Sequence, residues 1–193
     1  MKLKKEIKLL IACDGGAASG KTTGALMISK KYGLKLLSSG LLYRYISYKL
    51  LPKKNIKNKF AYLKSITKNI SLNKLKNKKL YDPNVTEYST IIAKSKKIRN
   101  LLKKFQKKFS RQKLVCIEGR DIGTVICPNA DIKFFFKCSL NVRAKRRLKD
   151  FKKANKKITL QEVKKALKKR DLIDTKRKNS PLRLPLSAYI VDT

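Results

Sequence analysis

The sequence predicts an α/β fold in which helices flank a parallel β-sheet. Two observations indicate this fold class. Short apolar runs alternate along the chain with amphipathic runs, a pattern typical of parallel strands joined by helices. A loop of small residues also joins the first apolar run to the first amphipathic run. With 193 residues, 42% of them apolar, the chain can bury the core of one such domain.

The chain begins with a strand and a helix on either side of this loop. The apolar run over residues 7–13 predicts a strand buried in the sheet. Six small residues and Gly-Lys-Thr-Thr follow, and a helix is predicted over residues 21–31. That helix ends at Gly33, because glycine readily adopts the left-handed conformation found after helix C termini. The most flexible backbone of the chain therefore lies directly between a strand and a helix.

A second strand and helix follow, and then a polar insert. Residues 34–37 predict the strand, and a serine after it caps a helix that ends before Pro52. Residues 53–84 are rich in lysine and asparagine. We interpret them as a small insert that ends at the Asp82-Pro83 turn.

The remaining elements continue the alternation. Two short helices are predicted over residues 86–94 and 95–109. Apolar runs predict three more strands, at residues 114–117, 132–137 and 189–192. Helices between the last two strands begin after Ser139 and at the capping box Thr159-x-x-Glu162, the second ending near Asp171.

The charge of the chain is strongly basic. Its formal net charge is +39, from 51 lysine and arginine residues against 12 acidic ones. Such a field attracts polyanions, so nucleic acid is a candidate partner. However, lysine is spread evenly, and the sequence contains no pattern of stacking aromatic residues and no nucleic-acid-binding module. We therefore interpret the lysines as a solvated surface and expect no specific nucleic-acid partner.

Neither a membrane span nor a metal site of the zinc type is predicted. No apolar run approaches the roughly 20 residues that a spanning helix needs. The apolar run near the N terminus is interrupted by acidic residues and leads into the glycine loop, which favours a first strand over a signal peptide. The four cysteines lack C-x-x-C spacing, and three lie in or beside apolar runs, which predicts buried, reduced thiols at Cys13, Cys116 and Cys138. We expect a cytoplasmic monomer.

The glycine loop carries the most specific motif. From Gly15 to Thr22 it fits G-x-x-x-x-G-K-[ST] in full. In this pattern, backbone N–H groups and the positive end of the following helix point at a phosphate. Lys21 then reaches the β- and γ-phosphates, and the hydroxyl of Thr22 or Thr23 contacts Mg²⁺. The loop predicts binding of a nucleoside triphosphate but does not specify the reaction.

Arginine is unevenly placed and indicates a second phosphate site. Only ten of the 51 basic residues are arginine, whose planar fork binds phosphate in a bidentate way. Several lie in three short motifs: SSGLLYR at residues 38–44, EGRDIGT at 118–124 and RDLIDTKR at 170–177. Alone, the last of these would be typical of surface ion pairs. Beside a phosphate loop, the three motifs favour clamps for a reacting phosphoryl group.

In their order and detail the motifs resemble those of bacterial cytidylate kinases, which are P-loop nucleoside monophosphate kinases. The matching stretches span almost the whole chain: D-G-x-A-A-S-G-K at 14–21, S-G-x-x-Y-R at 39–44, G-R-D-x-G-T-V at 119–125, R-A-K-R-R at 143–147, R-D-x-x-D-x-x-R at 170–177, P-L at 181–182 and the closing V-D-T. The resemblance implies a P-loop kinase fold with a five-stranded parallel sheet, a reduced NMP-binding insert at 53–84 and a short lid at about 146–158.

The resemblance also implies a reaction and the residues that carry it. ATP, with Mg²⁺ held through the nucleotide near Thr22 or Thr23, would donate its γ-phosphoryl group to CMP or dCMP. The ATP site would comprise Gly15, Gly16, Ala17, Ala18, Ser19, Gly20, Lys21, Thr22, Thr23, Arg146 and Arg147. The CMP site would comprise Ser39, Arg44, Thr90, Arg99, Arg120, Asp121, Arg170, Asp174 and Arg177. Lys21, Arg120 and Arg177 would act on the transferred group.

Departures from the family leave two other functions open. Relatives usually have proline at Gly16, aspartate at Ser38 and Glu118, and a charged residue at Ile173. The insert is also shorter than the sheet-bearing CMP domain of the family, which weakens the prediction of cytosine selectivity. A kinase of another small acceptor, such as UMP or a shikimate-like compound, would use the same loop. A nucleic-acid-binding protein that retains the loop would explain the net charge.

Overall fold

The computed structural model describes residues 7–53, 55–153 and 157–193, which divide into two compact units. The first unit comprises the chain up to Leu36 together with Lys113–Thr193, and the second comprises Leu37–Gln112. The predicted insert, residues 53–84, lies within the second unit. Residue 54 of that insert and residues 154–156 of the predicted lid lie outside the described residues.

A five-stranded sheet organises the fold. Its strands are β1 (Leu9–Gly15), β2 (Lys35–Ser38), β3 (Leu114–Gly119), β4 (Ile132–Lys137) and β5 (Tyr189–Asp192). They lie in the order β2-β3-β1-β4-β5, and the pairs β1–β3, β1–β4 and β4–β5 run parallel. The predicted parallel α/β sheet is confirmed, and its central strand, β1, is the one that leads into the phosphate loop.

Seven helices are described besides short turns. They are α1 (Lys21–Tyr32), α2 (Ser39–Leu50), α3 (Lys59–Lys68), α4 (Pro83–Ile92), α5 (Lys96–Ser110), α6 (Leu140–Lys153) and α7 (Leu160–Lys176). Helices α1, α6 and α7 belong to the first unit and α2 to α5 to the second. The predicted insert contains α3 and two short 3₁₀ turns, Lys74–Lys76 and Lys78–Tyr81.

Local sequence signals explain where several helices begin and end. Thr159 and Glu162 form the predicted capping box: the Thr159 hydroxyl accepts from the Glu162 N–H, and the Glu162 carboxylate accepts from the Thr159 N–H. Asp82 caps α4 by accepting from the Asn84 N–H at 2.8 Å. Gly33 ends α1 with a φ of 71°, a left-handed conformation that glycine adopts at little cost.

Several predicted boundaries were wrong, and two of the differences bear on the site. β1 begins at Leu9 rather than at Ile7, which is exposed, and it continues through Asp14 and Gly15 because those residues pair with β3 and β4. α7 continues beyond Asp171 to Lys176, since helical hydrogen bonding extends to the Arg177 N–H. Both differences bring charged residues of the motifs into regular structure, where the sheet and the helix fix their positions.

The core of the first unit holds the carboxyl end of β1 in place. Apolar side chains from the sheet and α1 fill it: Ile11, Cys13, Ala25, Leu34, Cys116 and Phe136. The predicted burial of the Cys13 and Cys116 thiols is confirmed, whereas Cys138, just past the end of β4, is only half-buried. Among the described residues, no helix has both the length and the hydropathy that crossing a membrane requires.

Candidate active site

The phosphate loop runs from the end of β1 to the first residue of α1. Gly20 precedes the helix with a φ of 79°, and Ala18 is also in the left-handed region at 56°. A Cβ at Gly15 would lie 2.5 Å from the Phe136 carbonyl oxygen of β4, a clash that only glycine avoids. The loop is thus curled tightly against the carboxyl end of the sheet, where open α/β sheets bind their ligands.

Lys21 is folded back into this loop. Its side chain is buried, and Nζ donates a hydrogen bond to the Gly16 carbonyl at 3.1 Å. Burial, with a further contribution from the Arg120 charge, lowers the pKa of Lys21 to about 7. An anionic phosphate at the loop would restore the charged form, so Lys21 is suited to bind a polyphosphate.

Thr22 faces a carboxylate from the neighbouring strand. Thr22 Oγ1 donates to Glu118 Oε1 at 3.2 Å, and Glu118 is buried at the end of β3. Magnesium in nucleotide sites is held by such a hydroxyl and a strand-end carboxylate together with phosphate oxygens. The donor set fits a magnesium–nucleotide complex, and of the two predicted threonines only Thr22 has a hydrogen bond of this kind in the described part of the chain. Within the described ranges, no three metal-ligating side chains of His, Cys, Asp or Glu lie together.

Asp14, which sequence reasoning did not assign a role, joins β1 to the segment after β3. It is fully buried, and its two carboxylate oxygens accept from the Ile122 N–H at 2.8 Å and the Gly123 N–H at 2.7 Å. Burial outweighs these hydrogen bonds and raises the pKa of Asp14 to about 6. Asp14 therefore anchors the turn Ile122–Ile126 that follows Arg120 and Asp121.

The structure brings four of the predicted substrate residues together. Asp174 accepts from Arg120 Nε at 2.7 Å and from Arg177 Nη1 at 3.1 Å. Arg177 Nη2 also lies 3.7 Å from Asp121 Oδ1. Burial raises the pKa of Asp174, but the guanidinium groups of Arg120 and Arg177 outweigh it and hold that pKa below its ordinary value. The result is a pair of guanidinium groups fixed on shared carboxylates.

Arg170 acts on this cluster and on Lys21 through its charge. It is half-buried on α7, and its charge contributes to lowering the pKa values of both Lys21 and Asp174. Two residues of the predicted helical face, Arg170 and Asp174, therefore influence the pKa of Lys21, and Arg177 lies at the helix end rather than inside it.

The two predicted lid arginines behave differently from each other. Arg146 Nη1 donates to Thr193 Oγ1 at 3.3 Å, and Thr193 Oγ1 donates to the Ser19 carbonyl at 3.1 Å, which ties Arg146 to the phosphate loop. Arg147 instead lies over the Phe151 ring of its own helix and 3.8 Å from Asp150. Among the described contacts, Arg146 is thus linked to the loop through Thr193, and Arg147 is not.

Arg143 and Asp171 contact the loop directly, and sequence reasoning assigned them no role. Arg143 Nη1 donates to the Ala17 carbonyl at 3.0 Å, and Asp171 Oδ1 accepts from the Ala17 N–H at 3.1 Å. The two side chains also form an ion pair at 2.6 Å. The sequence did hold a signal for them, because Arg143 begins the R-A-K-R-R motif and Asp171 is the first aspartate of R-D-x-x-D.

The remaining predicted substrate residues belong to the second unit. Arg44 lies over the Tyr81 ring, with 5.0 Å from Cζ to the centroid, and Ser39 is buried at the start of α2. Arg99 is buried, lies over the Tyr43 ring and donates to the Ala93 carbonyl at 3.2 Å. Stacking on tyrosine rings holds both guanidinium groups in fixed planes.

Two hydroxyls were predicted near the base. Ser89 Oγ donates to the Thr86 carbonyl at 2.6 Å, and Thr90 Oγ1 donates to the Glu87 carbonyl at 2.7 Å. Ser89 is buried and Thr90 is half-buried. Because each hydroxyl proton is directed at α4's own backbone, each oxygen is oriented as an acceptor.

Comparisons with known proteins identify several similar chains. The family model described as cytidylate kinase matches residues 11–193. A protein named cytidylate kinase from Fusobacterium nucleatum is 36% identical, covering 96% of this chain and 89% of that protein. Another of that name, from Bartonella quintana, is 37% identical over 95% of this chain and 86% of its own. An uncharacterized protein of known structure from Eubacterium ventriosum matches the fold with a TM-score of 0.57 at 14% identity, covering 96% and 89% of the two chains.

Proposed function

The chain belongs to the cytidylate kinase family, and from that membership we propose that it transfers the γ-phosphoryl group of ATP to CMP and dCMP, giving ADP with CDP or dCDP. One observation supports the proposal above others. Within the first unit, the phosphate loop with its buried Lys21 is accompanied by Arg120 and Arg177 fixed on Asp174. A triphosphate site and a pair of fixed guanidinium groups are what transfer between two phosphates requires.

The proposed mechanism depends on charge and alignment. Phosphoryl transfer demands little covalent chemistry from the protein, so catalysis comes from holding donor and acceptor in line and neutralising charge. Lys21 would bind the β- and γ-phosphates. Their negative charge would keep the Lys21 amine protonated. Arg120 and Arg177 would bind oxygens of the transferred group and of the acceptor phosphate. Their shared partner Asp174 limits the reorganisation that this requires.

Magnesium fits the donors at the start of α1. Thr22 and Glu118 would hold the ion beside the triphosphate. When bound there, it would neutralise the negative charge of the phosphate oxygens. Without metal, Glu118 accepts a hydrogen bond from the Thr22 hydroxyl, which keeps the threonine side chain directed at the site.

The roles of the acceptor-site residues follow from the resemblance to the family. Arg44 and Ser39 would contact the CMP phosphate and its surroundings, while Arg170 and Asp174 would contact the ribose. Arg99 and Asp121 would read the cytosine, and Thr90 or Ser89 would add an acceptor oxygen. The stacking of Arg44 and Arg99 on tyrosine rings supports these assignments, since fixed planar forks bind phosphates and base edges selectively.

A comparison of acceptors tests the proposal. Purified protein with MgATP is assayed for ADP release with CMP, dCMP, UMP, AMP and shikimate at equal concentrations. We expect CMP and dCMP to give the largest kcat/KM. Faster turnover of UMP or AMP would show that the base assignment is wrong, and shikimate turnover would show a different acceptor class.

The net charge of +39 favours one alternative, a nucleic-acid-binding protein that retains the loop. Binding to duplex DNA would then fall with salt at a slope of about −0.9 per neutralised phosphate. Loss of such binding near physiological salt with phosphorylation intact would assign the charge to the solvated surface.

The variant Arg99→Ala tests whether the acceptor is CMP or another small molecule. If the acceptor is CMP, the variant should lose CMP turnover while it still binds ATP.

We also propose that the enzyme acts in the cytoplasm as a monomer. The location is supported by the proposed substrates, ATP and CMP. Light scattering during size-exclusion chromatography measures the oligomeric state, for which one chain has a mass of 22.1 kDa.

A further inference from the structure

A carboxylate and a guanidinium bind the two backbone polar groups of one residue of the phosphate loop, Ala17. Asp171 accepts from the Ala17 N–H at 3.1 Å, and Arg143 donates to the Ala17 carbonyl at 3.0 Å. The two charged groups also pair with each other at 2.6 Å. The side chains are about three-quarters or more buried, at 26% exposure for Asp171 and 11% for Arg143. The backbone N–H and the carbonyl of Ala17, which belong to two successive peptide groups, are therefore both bound by side chains.

An apolar cluster delivers these charges to the loop. Ala17 packs with Ala144 of α6 and with Val163 and Leu167 of α7, and all four are buried. Asp171 lies one helical turn after Leu167, so one face of α7 carries both the apolar contact and the carboxylate, and on α6 Arg143 directly precedes Ala144. The position of Asp171 on the loop is thus a consequence of how α6 and α7 pack.

The Asp171 carboxylate binds a backbone N–H that would bind a phosphate oxygen when nucleotide is present. Backbone N–H groups of such loops bind phosphate oxygens, and a carboxylate offers the same charge and the same kind of acceptor. Asp171 also places its negative charge at the loop, where it repels an incoming triphosphate. Arg143 is paired with Asp171, and a bound phosphate could take the place of that carboxylate as the partner of Arg143.

We propose that Asp171 is an internal anion that holds the nucleotide-free loop in shape and is exchanged for a phosphate oxygen of ATP, with Arg143 transferred from the carboxylate to the phosphate. Asp171 is then a positioning residue that lowers ATP affinity and stabilises the empty loop. The inference rests on the ATP binding proposed above, but not on the identity of the acceptor.

Gly16 makes the arrangement possible. A Cβ at this position would lie 3.3 Å from Asp171 Oδ1 and 3.4 Å from Arg143 Nη1, closer than side chains ordinarily approach. Both contacted atoms are ends of flexible side chains, so they would move rather than the backbone. A residue with a Cβ at position 16 should therefore loosen the contact of Asp171 with Ala17 while keeping every charge.

Binding to the phosphate loop measures the exchange. Isothermal titration with MgATP and with tripolyphosphate, which lacks a base, compares wild type with Asp171→Ala. We expect the variant to bind both ligands more tightly, on the order of tenfold, because a competing charge-assisted hydrogen bond and a repulsive charge are removed. The melting temperature without ligand should fall, since the Ala17 N–H and Arg143 lose their partner.

Asp150→Ala is the matched control. It also removes an aspartate paired with an arginine, but Asp150 lies 3.8 Å from Arg147, is exposed and has no described contact with the loop. Its affinities should equal those of wild type. Asp171→Asn keeps an acceptor for the Ala17 N–H without the charge and should tighten binding by a smaller factor, which provides a test if Asp171→Ala does not fold. Gly16→Ala should act in the same direction.

Unchanged or weaker binding in Asp171→Ala and Asp171→Asn would overturn the inference, even if both variants melt earlier, because a merely structural carboxylate predicts that result. The proposed function fails separately. A protein that binds ATP more tightly without Asp171 but does not phosphorylate CMP would refute the proposed function and support the exchange. Efficient phosphorylation of CMP, together with equal ATP affinities of wild type and the Asp171 variants, would support the proposed function and refute the exchange.

Discussion

Thr22 Oγ1 donates a hydrogen bond to Glu118 Oε1 at 3.2 Å, which joins the first turn of α1 to the end of β3. The two residues are 96 positions apart in the chain, and the sheet brings them together because β1 and β3 are adjacent and parallel. A hydroxyl and a carboxylate at this distance can share one magnesium ion beside the triphosphate.

Replacement of Glu118 by glutamine tests this metal site. Glu118→Gln keeps the size of the side chain and removes its charge, so Mg²⁺ should be held less well. We expect the Mg²⁺ concentration for half-maximal activity to rise on the order of tenfold, in the range that loss of a metal-site partner produces. Thr22→Ala should act in the same direction and Thr23→Ala should not. Equal Mg²⁺ dependence in all three variants would contradict the site.

The pKa of Lys21 predicts proton uptake on nucleotide binding. In the empty loop burial lowers that pKa to about 7, so at pH 8 the amine is mostly neutral. Bound phosphates raise the pKa again, and the complex takes up close to one proton at pH 8 and fewer at pH 6. Titration calorimetry in buffers of different ionisation enthalpy measures this number. A heat of binding at pH 8 that does not depend on the buffer would contradict the assignment.

The lowered pKa of Lys21 also makes the stability of the nucleotide-free protein depend on pH. The unfolded chain binds more protons at Lys21 than the folded chain between about pH 7 and the ordinary lysine value of 10.5. The contribution of Lys21 to stability therefore improves as pH rises through that window, and below it the buried charge is unfavourable. The stability difference between Lys21→Met and wild type should be largest near pH 7 and shrink toward pH 10. A difference that grows with pH would contradict the shift.

Asp14 is predicted to be structural. Asp14→Ala removes the acceptor for the buried N–H groups of Ile122 and Gly123, and leaving two buried donors unpaired costs about 2–6 kcal/mol. Urea unfolding measures the free energy. Asp131→Ala is the control, because Asp131 also accepts a backbone N–H, that of Leu10, but at an exposed site where water can replace it. Equal losses in the two variants would refute the role of Asp14.

Much of the fold was predictable because its signals are local. The alternation of apolar and amphipathic runs, the capping box of Thr159 and Glu162, and Gly33 at the end of α1 each depend on residues within a few positions. The phosphate loop is likewise one continuous stretch. These elements form where the sequence predicts them because short-range hydrogen bonds decide them.

The contacts of Asp14, Glu118 and Asp171 were not predictable in this way. Asp171 is 154 positions from Ala17, and Asp14 is 108 from Ile122, so only the strand order and the packing of α7 bring them together. A signal did exist for two of them. Asp14 and Glu118 each end an apolar run, and a carboxylate that is buried at a strand end needs a specific partner.

Conservative exchange of arginine by lysine tests the choice of residue at the phosphate site. Arg120→Lys and Arg177→Lys keep the charge but remove the planar fork that binds Asp174, and kcat/KM for CMP should fall on the order of 10- to 100-fold. Arg111→Lys and Arg183→Lys, at exposed positions, should match wild type. Equal values in all four variants would show that arginine placement does not mark the site.

The central claim is that the chain moves a phosphoryl group from ATP to CMP rather than to water or another acceptor. Phosphorus NMR of a mixture of MgATP, CMP and catalytic amounts of the protein follows every phosphorus atom directly. The account predicts that ADP and CDP appear in equal amounts, that inorganic phosphate does not accumulate, and that Lys21→Ala slows the change by orders of magnitude, since one such contact is worth about 3–4 kcal/mol. Release of inorganic phosphate with CMP unchanged would contradict the account.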